Sequence, residues 1–539
     1  MTRLASVRSI ALVLLGALLV PPAAHADPLA RFVLRAAPGT GGGAAPTPAP
    51  GPDPFATPVE VAGLAGLAGP ATPVDLPALL QIAVRQSPTL ATASIDIEIA
   101  AAQVDATLGL DDWTVGAGLD VSATADRSAV MNGGGRNIAA TLSGDLSRLL
   151  PSGGTVALHA SSGLVNRKSQ FTESGLQDPT VWTDTISGSF SQPLMRGRGR
   201  AIARAQVALA HLAEDAAALT RRGRALTVVE NVVTTYWDLV SANRVLAIAK
   251  GSLALAQERF RVTQLGVRGG KIADAELVAV EEAIATRQED VLNAELAIVQ
   301  QSVTLRRTIG MEIEPGKLAL DPGADLTTST RNWNLADLRE QAMRTSPDLA
   351  TLATQDRSAS LDLEVTENGL LPQLDLALSL GPTGSDITFG GAAKDLVTLG
   401  GVSAGASLTY TQSLGKHAVL GQARESRARR EKLRLTAVDV RAQIDQALAQ
   451  AVAQAMSAEQ RIALATRAIA LAEKSIGIEQ SRFELGKSTN FDVLLRQDEL
   501  RQAQLRLARA QVDWHKAQTV IATVTGSLLD DYGIELAPR

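Results

Sequence analysis

Three segments of the chain alternate between apolar and polar residues with a period of two. Residues 113–126 carry Trp, Val, Ala and Leu at odd positions and Thr, Gly, Asp and Ser at even positions, and residues 374–380 and 402–411 continue the pattern. Segments of about ten residues with this period have the length and pattern of transmembrane β-strands. Strands of a soluble sheet alternate too, but so small a sheet between long helices would have no core on which to pack.

Long segments with a helical period follow these strands. Apolar side chains recur in steps of three and four from residue 199 to residue 264 and from 417 to 484, with no proline. At ~1.5 Å per residue, each segment would form a helix on the order of 100 Å long. Because a globular helix has roughly eight to twenty residues, we predict antiparallel coiled-coil arms.

Shorter helices accompany the arms. Helical patterns resume near Asp274 and Asp492 after a Leu-Gly break, and further helices occupy 88–109 and 347–369, ahead of the strands. Their lengths are about 55 Å and about 33 Å. Since the two lengths together nearly equal that of an arm, we predict that two shorter helices lie end to end beside each long one.

The same order of elements occurs twice. Residues 79–92 resemble residues 338–351, and both contain a Ser-Pro pair that suits the start of a helix. The repeats differ in their β regions, of which the first is longer. The predicted first repeat (75–330) contains a helix, strands in 113–192 and a helical hairpin (196–310), and the second (331–530) contains a helix, strands in 373–412 and a helical hairpin (416–527).

The N-terminus predicts export. Arg3 and Arg8 precede an apolar run and Ala24-His25-Ala26, the pattern of a secretory signal peptide over residues 1–26. The apolar run is too short to cross roughly 30 Å of hydrocarbon as an anchor. Residues 27–74 are rich in Pro, Gly and Ala and have little to bury, so we expect an extended or disordered leader.

Composition narrows the class of protein. Aromatic residues make up 3% of the chain, cysteine is absent and the formal net charge is −5. Disulfides and thiolate chemistry are therefore excluded, and nothing suggests a nucleic-acid partner. His159, His211, His417 and His515 lack metal-ligand spacing, and the glycine runs lack the Lys-Ser/Thr of a phosphate-binding loop. We therefore expect no enzyme activity, no cofactor and no metal site.

A single copy cannot close a barrel. Known transmembrane barrels need about eight strands or more. The chain supplies four to six, since alternation also occurs at 138–146 and 156–160 around the possible turn 151–154. Open strand edges are not tolerated in lipid. The predicted fold is an internally duplicated α+β membrane protein, in which long antiparallel coiled-coil helices continue into a transmembrane β-barrel completed by trimerisation.

This organisation resembles the TolC-type outer-membrane efflux protein family over residues 75–530. The resemblance is carried by the duplicated Ser-Pro helix starts, the segments 191–194 and 371–374, and the duplicated Leu-Gly breaks. It implies a homotrimer in the outer membrane of a Gram-negative bacterium, with a tunnel extending into the periplasm. It also implies a passive exit duct of a tripartite efflux pump or a type I secretion system. The partners would be a periplasmic adaptor (membrane fusion protein) and an inner-membrane pump.

The alternative function is that of a trimeric tether that spans the periplasm and conducts nothing. The polar face of the predicted strands, which carries Thr, Ser, Gly and Asp, suits a water-filled lumen. This face favours a channel over a tether.

The Leu-Gly breaks mark the positions where the arms are predicted to reverse, far from the barrel. Exposed apolar residues at a loop tip favour a binding partner, and the resemblance implies that this partner is the adaptor's hairpin. An ordinary glycine turn is the alternative. The predicted docking residues are Leu265, Gly266, Val267, Leu485, Gly486 and Thr489.

The resemblance also implies a gate at the periplasmic end, closed by carboxylates of the second arm. Glu473, Glu479 and Glu484 occupy this stretch, and Glu479 is the first choice because it lies about two turns before Gly486. Three copies of a carboxylate around one axis would bind cations. Solvated charges that support the helix through pairs three or four residues apart are the alternative.

Overall fold

The computed structural model describes residues 69–126, 135–168, 180–270, 272–324, 326–329 and 331–536. The predicted signal peptide (1–26) and most of the leader (27–74) lie outside these residues. The helices are α1 (Leu76–Gln86), α2 (Pro88–Leu108), α3 (Arg200–Ala203), α4 (Ala205–Arg268), α5 (Ala275–Ile309), α6 (Leu335–Thr345), α7 (Pro347–Asn368), α8 (Phe389–Val397), α9 (His417–Glu484), α10 (Asn490–Val524) and α11 (Leu528–Asp531). The strands are β1 (Thr72–Pro73), β2 (Thr114–Asp126), β3 (Gly135–Leu149), β4 (Thr155–Lys168), β5 (Thr180–Pro193), β6 (Leu320–Asp321), β7 (Gln373–Asp386) and β8 (Gly401–Thr411).

Six strands form one antiparallel sheet in the order β2-β3-β4-β5-β7-β8. The sequence predicts four to six strands for this sheet, and the described residues contain six. One row of paired residues crosses the whole sheet, through Val115, Leu146, Leu158, Gly188, Leu380 and Ala404. Because side chains alternate along each strand, this register keeps the apolar positions of both repeats on one face.

Helices form two tiers below the sheet. The sheet-proximal tier packs α2 on α4, α4 on α7 and α7 on α9, and the sheet-distal tier packs α5 on α4, α4 on α10 and α10 on α9. The long helices α4 and α9 have 64 and 68 residues and belong to both tiers. The shorter helices α2 and α5 have 21 and 35 residues and both pack along α4. This arrangement matches the prediction of two shorter helices beside each long one.

The main core lies around α1, α4 and the end of α5. Several of its large side chains are at most 2% exposed, among them Leu79, Leu80, Val229, Val233, Leu239 and Leu305. Burying each such side chain stabilises the fold by about 1.5–3 kcal/mol. The hydroxyl of Tyr236 donates a hydrogen bond of 2.7 Å to the Pro322 carbonyl at the edge of this core. The core therefore fixes α4 midway along its length.

The end of the predicted leader belongs to this core region. Residues of β1 pair in parallel with β6, and the Val74 amide donates to the Asp321 carbonyl at 2.8 Å. Residues 72–74 of the predicted leader are extended, as the sequence allows, and these backbone bonds attach them to the core region. The composition of the leader did not show that backbone bonds to a distant strand would fix its last residues.

Candidate channel wall and helical tips

One face of the sheet is covered with exposed apolar side chains from all six strands. They are Val115, Leu119, Val121, Leu142, Leu158, Ile186, Leu378, Leu380, Val402, Leu408 and Tyr410. A contiguous exposed apolar surface of this kind marks a membrane or protein partner. At the helix-proximal end of the face, Arg148 lies over the ring of Trp113 at 5.6 Å, an amphipathic pair suited to a membrane interface. This face has the chemistry of a lipid-facing wall.

The opposite face of the sheet is hydrophilic. One row across it runs Gly116, Asp145, His159 and Ser187, and Nδ1 of His159 lies 2.6 Å from the Asp145 carboxylate. Asp120 and Asp375 lie on the same face by register. Among the positions whose side chains the structure describes, this face carries Ser, Thr, Gly and Asp but no Lys or Arg. Such a surface suits water and attracts cations.

The sheet has two open edges. The outer edges of β2 and β8 pair with no other strand in the described part of the chain. An unpaired backbone group in hydrocarbon costs several kcal/mol. A sheet with a lipid-facing wall therefore requires a partner strand at each edge.

The second helical tip reverses where the sequence predicts. α9 ends at Glu484, and Gly486 adopts a left-handed φ of 70°, which suits a glycine after a helix end. Thr489 then caps α10 through a reciprocal capping box with Asp492, whose hydrogen bonds from Thr489 lower the pKa of the Asp492 carboxyl. Leu485 and Phe491 remain 71% and 66% exposed. The tip is a rigid turn with an apolar surface.

The first helical tip differs from its prediction. Leu265, Gly266 and Val267 lie within the last turns of α4, which continues to Arg268. The chain reverses at Gly270, whose φ is 67°. The predicted reversal at Leu265-Gly266 is therefore wrong, because a helix ends where a residue takes the left-handed conformation. Gly266 has a packing role instead, since a Cβ there would lie 2.4 Å from Cδ1 of Ile272.

Polar contacts join the two hairpins at their tips. Asn490 is fully buried. Its backbone N–H donates to the Glu276 carboxylate at 3.2 Å, and its side-chain oxygen accepts from the Thr263 hydroxyl at 3.3 Å. The Arg259 guanidinium lies 5.1 Å from the ring centroid of Phe483. Burial lowers the pKa of Arg259, and the nearby Glu484 carboxylate opposes that shift. The second tip is therefore anchored to the first hairpin.

The three candidate gate carboxylates do not share one surface. Glu473 and Glu484 are exposed, whereas Glu479 is only 8% exposed. The Ser488 hydroxyl donates to the Glu479 carboxylate at 2.5 Å, and Arg482 donates at 3.4 Å. Glu479, the first-choice gate residue, is therefore buried within the second helical tip. Helical spacing gave the distance of Glu479 from the turn but not the side of the helix that the turn covers.

A group of four charges also links the hairpins, and the sequence gave no prediction for it. Arg287 bonds to Asp498 at 2.8 Å and to Asp290 at 3.2 Å, and Arg501 bonds to the same two carboxylates at 2.9 and 3.2 Å. Burial works to raise the pKa of Asp498, but the hydrogen bonds from Arg501 and Arg287 outweigh it, and the pKa is lowered. The available signal was Arg and Asp three residues apart on α5, with the reverse order on α10.

Comparison with known proteins identifies the family and its relatives. The family model described as outer membrane efflux protein matches residues 79–311 and 338–527, well over half of the chain. Nodulation protein T of Rhizobium leguminosarum bv. trifolii is 23% identical over 368 residues, which cover 65% of this chain and 74% of that protein. Outer membrane efflux protein BepC of Brucella suis biovar 1 is 24% identical over 317 residues, which cover 57% of this chain and 64% of that protein.

The fold is similar to a solved outer-membrane protein. The crystal structure of VceC from Vibrio cholerae aligns with a TM-score of 0.59 at 16% sequence identity, covering 84% of this chain and 96% of that chain. The chain therefore belongs to the outer membrane efflux protein family, whose members are channels and not enzymes, and it resides in the outer membrane with its helices extending into the periplasm.

Proposed function

We propose that three copies of this chain close head to tail into a channel that serves as the passive exit duct of an inner-membrane pump, joined to it by a periplasmic adaptor. The observation that carries the proposal is the sheet, which has an apolar exposed face, a hydrophilic opposite face and two open edges. A closed ring of such sheets encloses a water-filled lumen and leaves no edge in lipid.

The sheet and the helical tiers have the same order of elements from one edge of the molecule to the other. α2 leads into β2 at one edge, and β8 leads into α9 at the other. In both tiers α9 is the last helix, while α2 and α5 are the first. A second copy can therefore join its β2 to β8 and its α2 and α5 to α9 at the same time. This is a heterologous contact, which produces a ring when the rotation closes.

Apolar side chains are exposed along both helical edges. On α9, Leu464, Leu471 and Ile478 follow one another at intervals of one heptad, and each is more than half exposed. On the opposite edge, Ile95 and Ile99 of α2 and Val278 and Leu296 of α5 are exposed. A heptad stripe of this kind packs against a neighbouring helix. These two exposed apolar edges support a ring of copies, and the family resemblance supports three copies in the ring.

The hydrophilic face distinguishes a duct from a tether. A tether needs no continuous polar surface, whereas an aqueous lumen requires one along every strand, as the Ser, Thr, Gly and Asp positions provide. The exposed Leu485 and Phe491 at the second tip support docking of the adaptor there, since such residues at a rigid turn favour a partner. Energy for export would come from the pump.

Cross-linking tests the head-to-tail ring. The chain has no cysteine, so Ala406→Cys on β8 can be combined with Ala117→Cys on β2 without background reaction. We expect a short bismaleimide to give covalent dimers and trimers of the double variant in outer membranes, and nothing larger. The matched control, Ala406→Cys alone, should give none, because a heterologous contact does not bring the same residue of two copies together. Monomers alone in the double variant would contradict the ring.

A further inference from the structure

The first repeat contains a β-hairpin, β3 and β4, for which the second repeat has no equivalent. The hairpin lies between β2 and β5 in the sheet. It is paired along both of its long sides, from Thr114↔Ser147 on β2 to Thr155↔Ser191 on β5. A segment bonded along both edges is part of the sheet and cannot be a plug folded into a lumen.

Both faces of the hairpin match the faces of the neighbouring strands. Leu142 and Leu158 are exposed on the apolar face. Ser143 and Ser161, which are paired with one another, lie on the hydrophilic face. The hairpin thus has one face for lipid and one face for water, as transmembrane strands do.

The turn between β3 and β4 is fixed at the junction of sheet and helices. The Ser152 carbonyl accepts from the Gly199 amide and from the Gln192 side chain, both at 3.2 Å. Gly153 has a φ of 88°, and a Cβ there would lie 2.4 Å from the Gly197 carbonyl oxygen. The turn is therefore built into the rim beside the loop that leads to α3.

The width of the sheet matches the width of the helical tiers. Six strands spaced about 4.8 Å apart and tilted by about 40° span an arc of roughly 38 Å. Four helices spaced about 8–10 Å apart span roughly 32–40 Å. Without the hairpin, four strands at the same tilt would span only about 25 Å. The added hairpin removes this difference in width.

We infer that the β3–β4 hairpin is an insertion in the barrel wall that widens the barrel to the width of the helical tunnel. Resting on the proposed trimer, the barrel has eighteen strands, and its diameter is about one and a half times that of a twelve-stranded barrel, since diameter grows roughly linearly with strand number. The lining of hydroxyls, glycines and carboxylates suits hydrophilic cargo.

A cysteine scan tests the position of the hairpin in the full-length protein. We expect a charged, water-soluble maleimide to label the Ser143→Cys and Ser161→Cys variants in outer membranes, and only a lipid-soluble maleimide to label Leu142→Cys and Leu158→Cys. The matched controls on β2, Gly118→Cys and Leu119→Cys, should give the same contrast. If the charged reagent labels both faces of the hairpin while the β2 controls keep their contrast, the hairpin lies outside the wall and the inference is wrong.

A deletion tests the width of the barrel. In one variant a short Gly-Ser loop joins Asp126 to Thr180, which removes β3 and β4. Thr114→Cys on β2 is then titrated in both backgrounds with maleimide-polyethylene glycols of increasing mass, added from outside. We expect the limiting polymer radius to fall by about a third on deletion. An unchanged limit in assembled deletion trimers would overturn the inference.

A failure of the proposed channel gives a different labelling result from a failure of the inference about the hairpin. If Thr114→Cys reacts with no reagent in the full-length background, there is no aqueous lumen, and the proposed channel fails first. If the deletion variant does not assemble, the cysteine scan alone decides the position of the hairpin.

Discussion

The two repeats have helices of nearly constant length and sheets of different size. α4 and α9 have 64 and 68 residues, and α5 and α10 have 35 each. In contrast, the first repeat supplies four strands of the sheet and the second supplies two. Arms that form one tunnel must end in a common plane, so their length is constrained. A sheet needs only complementary edges, so a hairpin can be inserted between two strands and the barrel of the proposed trimer widens.

The tips of the two repeats also differ. The first reverses through Gly269 and Gly270, whereas the second combines a glycine turn with a capping box and the buried Glu479. These side-chain bonds restrict the movement of the second tip. The difference indicates that the second tip is the more firmly held of the two, which suits the docking proposed above. The predictions below test these two contrasts.

The largest expected effect is a loss of transport in Gly486→Asp. A residue other than glycine in the left-handed region costs roughly 1–2 kcal/mol, and the new charge would lie beside the exposed Leu485. We expect export to be abolished in cells while trimers persist in the membrane. Gly270→Asp at the first tip is the matched variant, since its φ of 67° is nearly the same as the 70° of Gly486, and it should retain more export. Unaffected export in Gly486→Asp would count against docking there.

The second prediction compares the added hairpin with the shared strands. Leu142→Arg places a charge on the apolar face of β3, and Leu380→Arg does the same on β7. Each should destabilise the protein in lipid by about 2–4 kcal/mol, the cost of Arg near the bilayer midplane. Ser143→Arg, on the hydrophilic face, should cost much less. Denaturant unfolding in lipid vesicles measures all three, and tolerance of Leu142→Arg alone would show that the hairpin does not face lipid.

The third prediction concerns the periplasmic gate that the family resemblance implies in the second arm. Glu473 and Glu484 are exposed and remain candidates, whereas Glu479 is bonded to Ser488. Removing Glu473 and Glu484 together should weaken block by trivalent cations from the periplasmic side about tenfold, which corresponds to roughly 1.4 kcal/mol. Glu479→Ala should loosen the tip and leave the block in place. If the block survives the double variant, the carboxylate ring lies elsewhere.

The fourth prediction is a pH dependence at the contact between α4 and α10. The ring of His515 on α10 stacks on Trp237 of α4 at 3.7 Å, and burial lowers the pKa of His515 to about 4, against the raising effect of a hydrogen bond that the ring donates to the Thr327 backbone. An unfolded His titrates near 6.5, so the unfolded state binds more protons between the two values. The free energy of unfolding should therefore fall as the pH drops from about 6.5 to about 4, and it should stay constant above about pH 6.5.

The control for this pH dependence is His515→Phe, which keeps the stacking and removes the titration. Its melting temperature should change less over the same pH range. Equal slopes for the two proteins would show that His515 does not titrate as described.

The sequence predicted the regular parts of the fold because their periods are local. The alternation at 113–126 and the unbroken helical pattern at 417–484 gave β2 and α9 almost to their ends. The sequence did not decide whether β3 and β4 belong to the sheet, because Gly and Ser interrupt their alternation. Only the pairing on both sides shows that this hairpin is part of the barrel wall.

The parts that the sequence missed depend on contacts between distant segments. Leu265-Gly266 and Leu485-Gly486 look alike, yet only Gly486 ends a helix, because Ile272 packs against the helical Gly266. The ion pairs of Arg287 and Arg501 require the register between α5 and α10, which no local pattern specifies. The direction of Glu479 depends on the fold of the turn that covers it.

Single-channel recording in planar lipid bilayers tests the central claim that this chain forms a conducting duct. The purified wild-type trimer should give discrete current steps that favour cations, because the lumen face carries carboxylates and no Lys or Arg among its described side chains. Glu479→Ala, which loosens the periplasmic tip, should raise the open fraction of the same channel. Folded trimers that insert into the bilayer and carry no current, in either protein, would contradict the account and favour a tether.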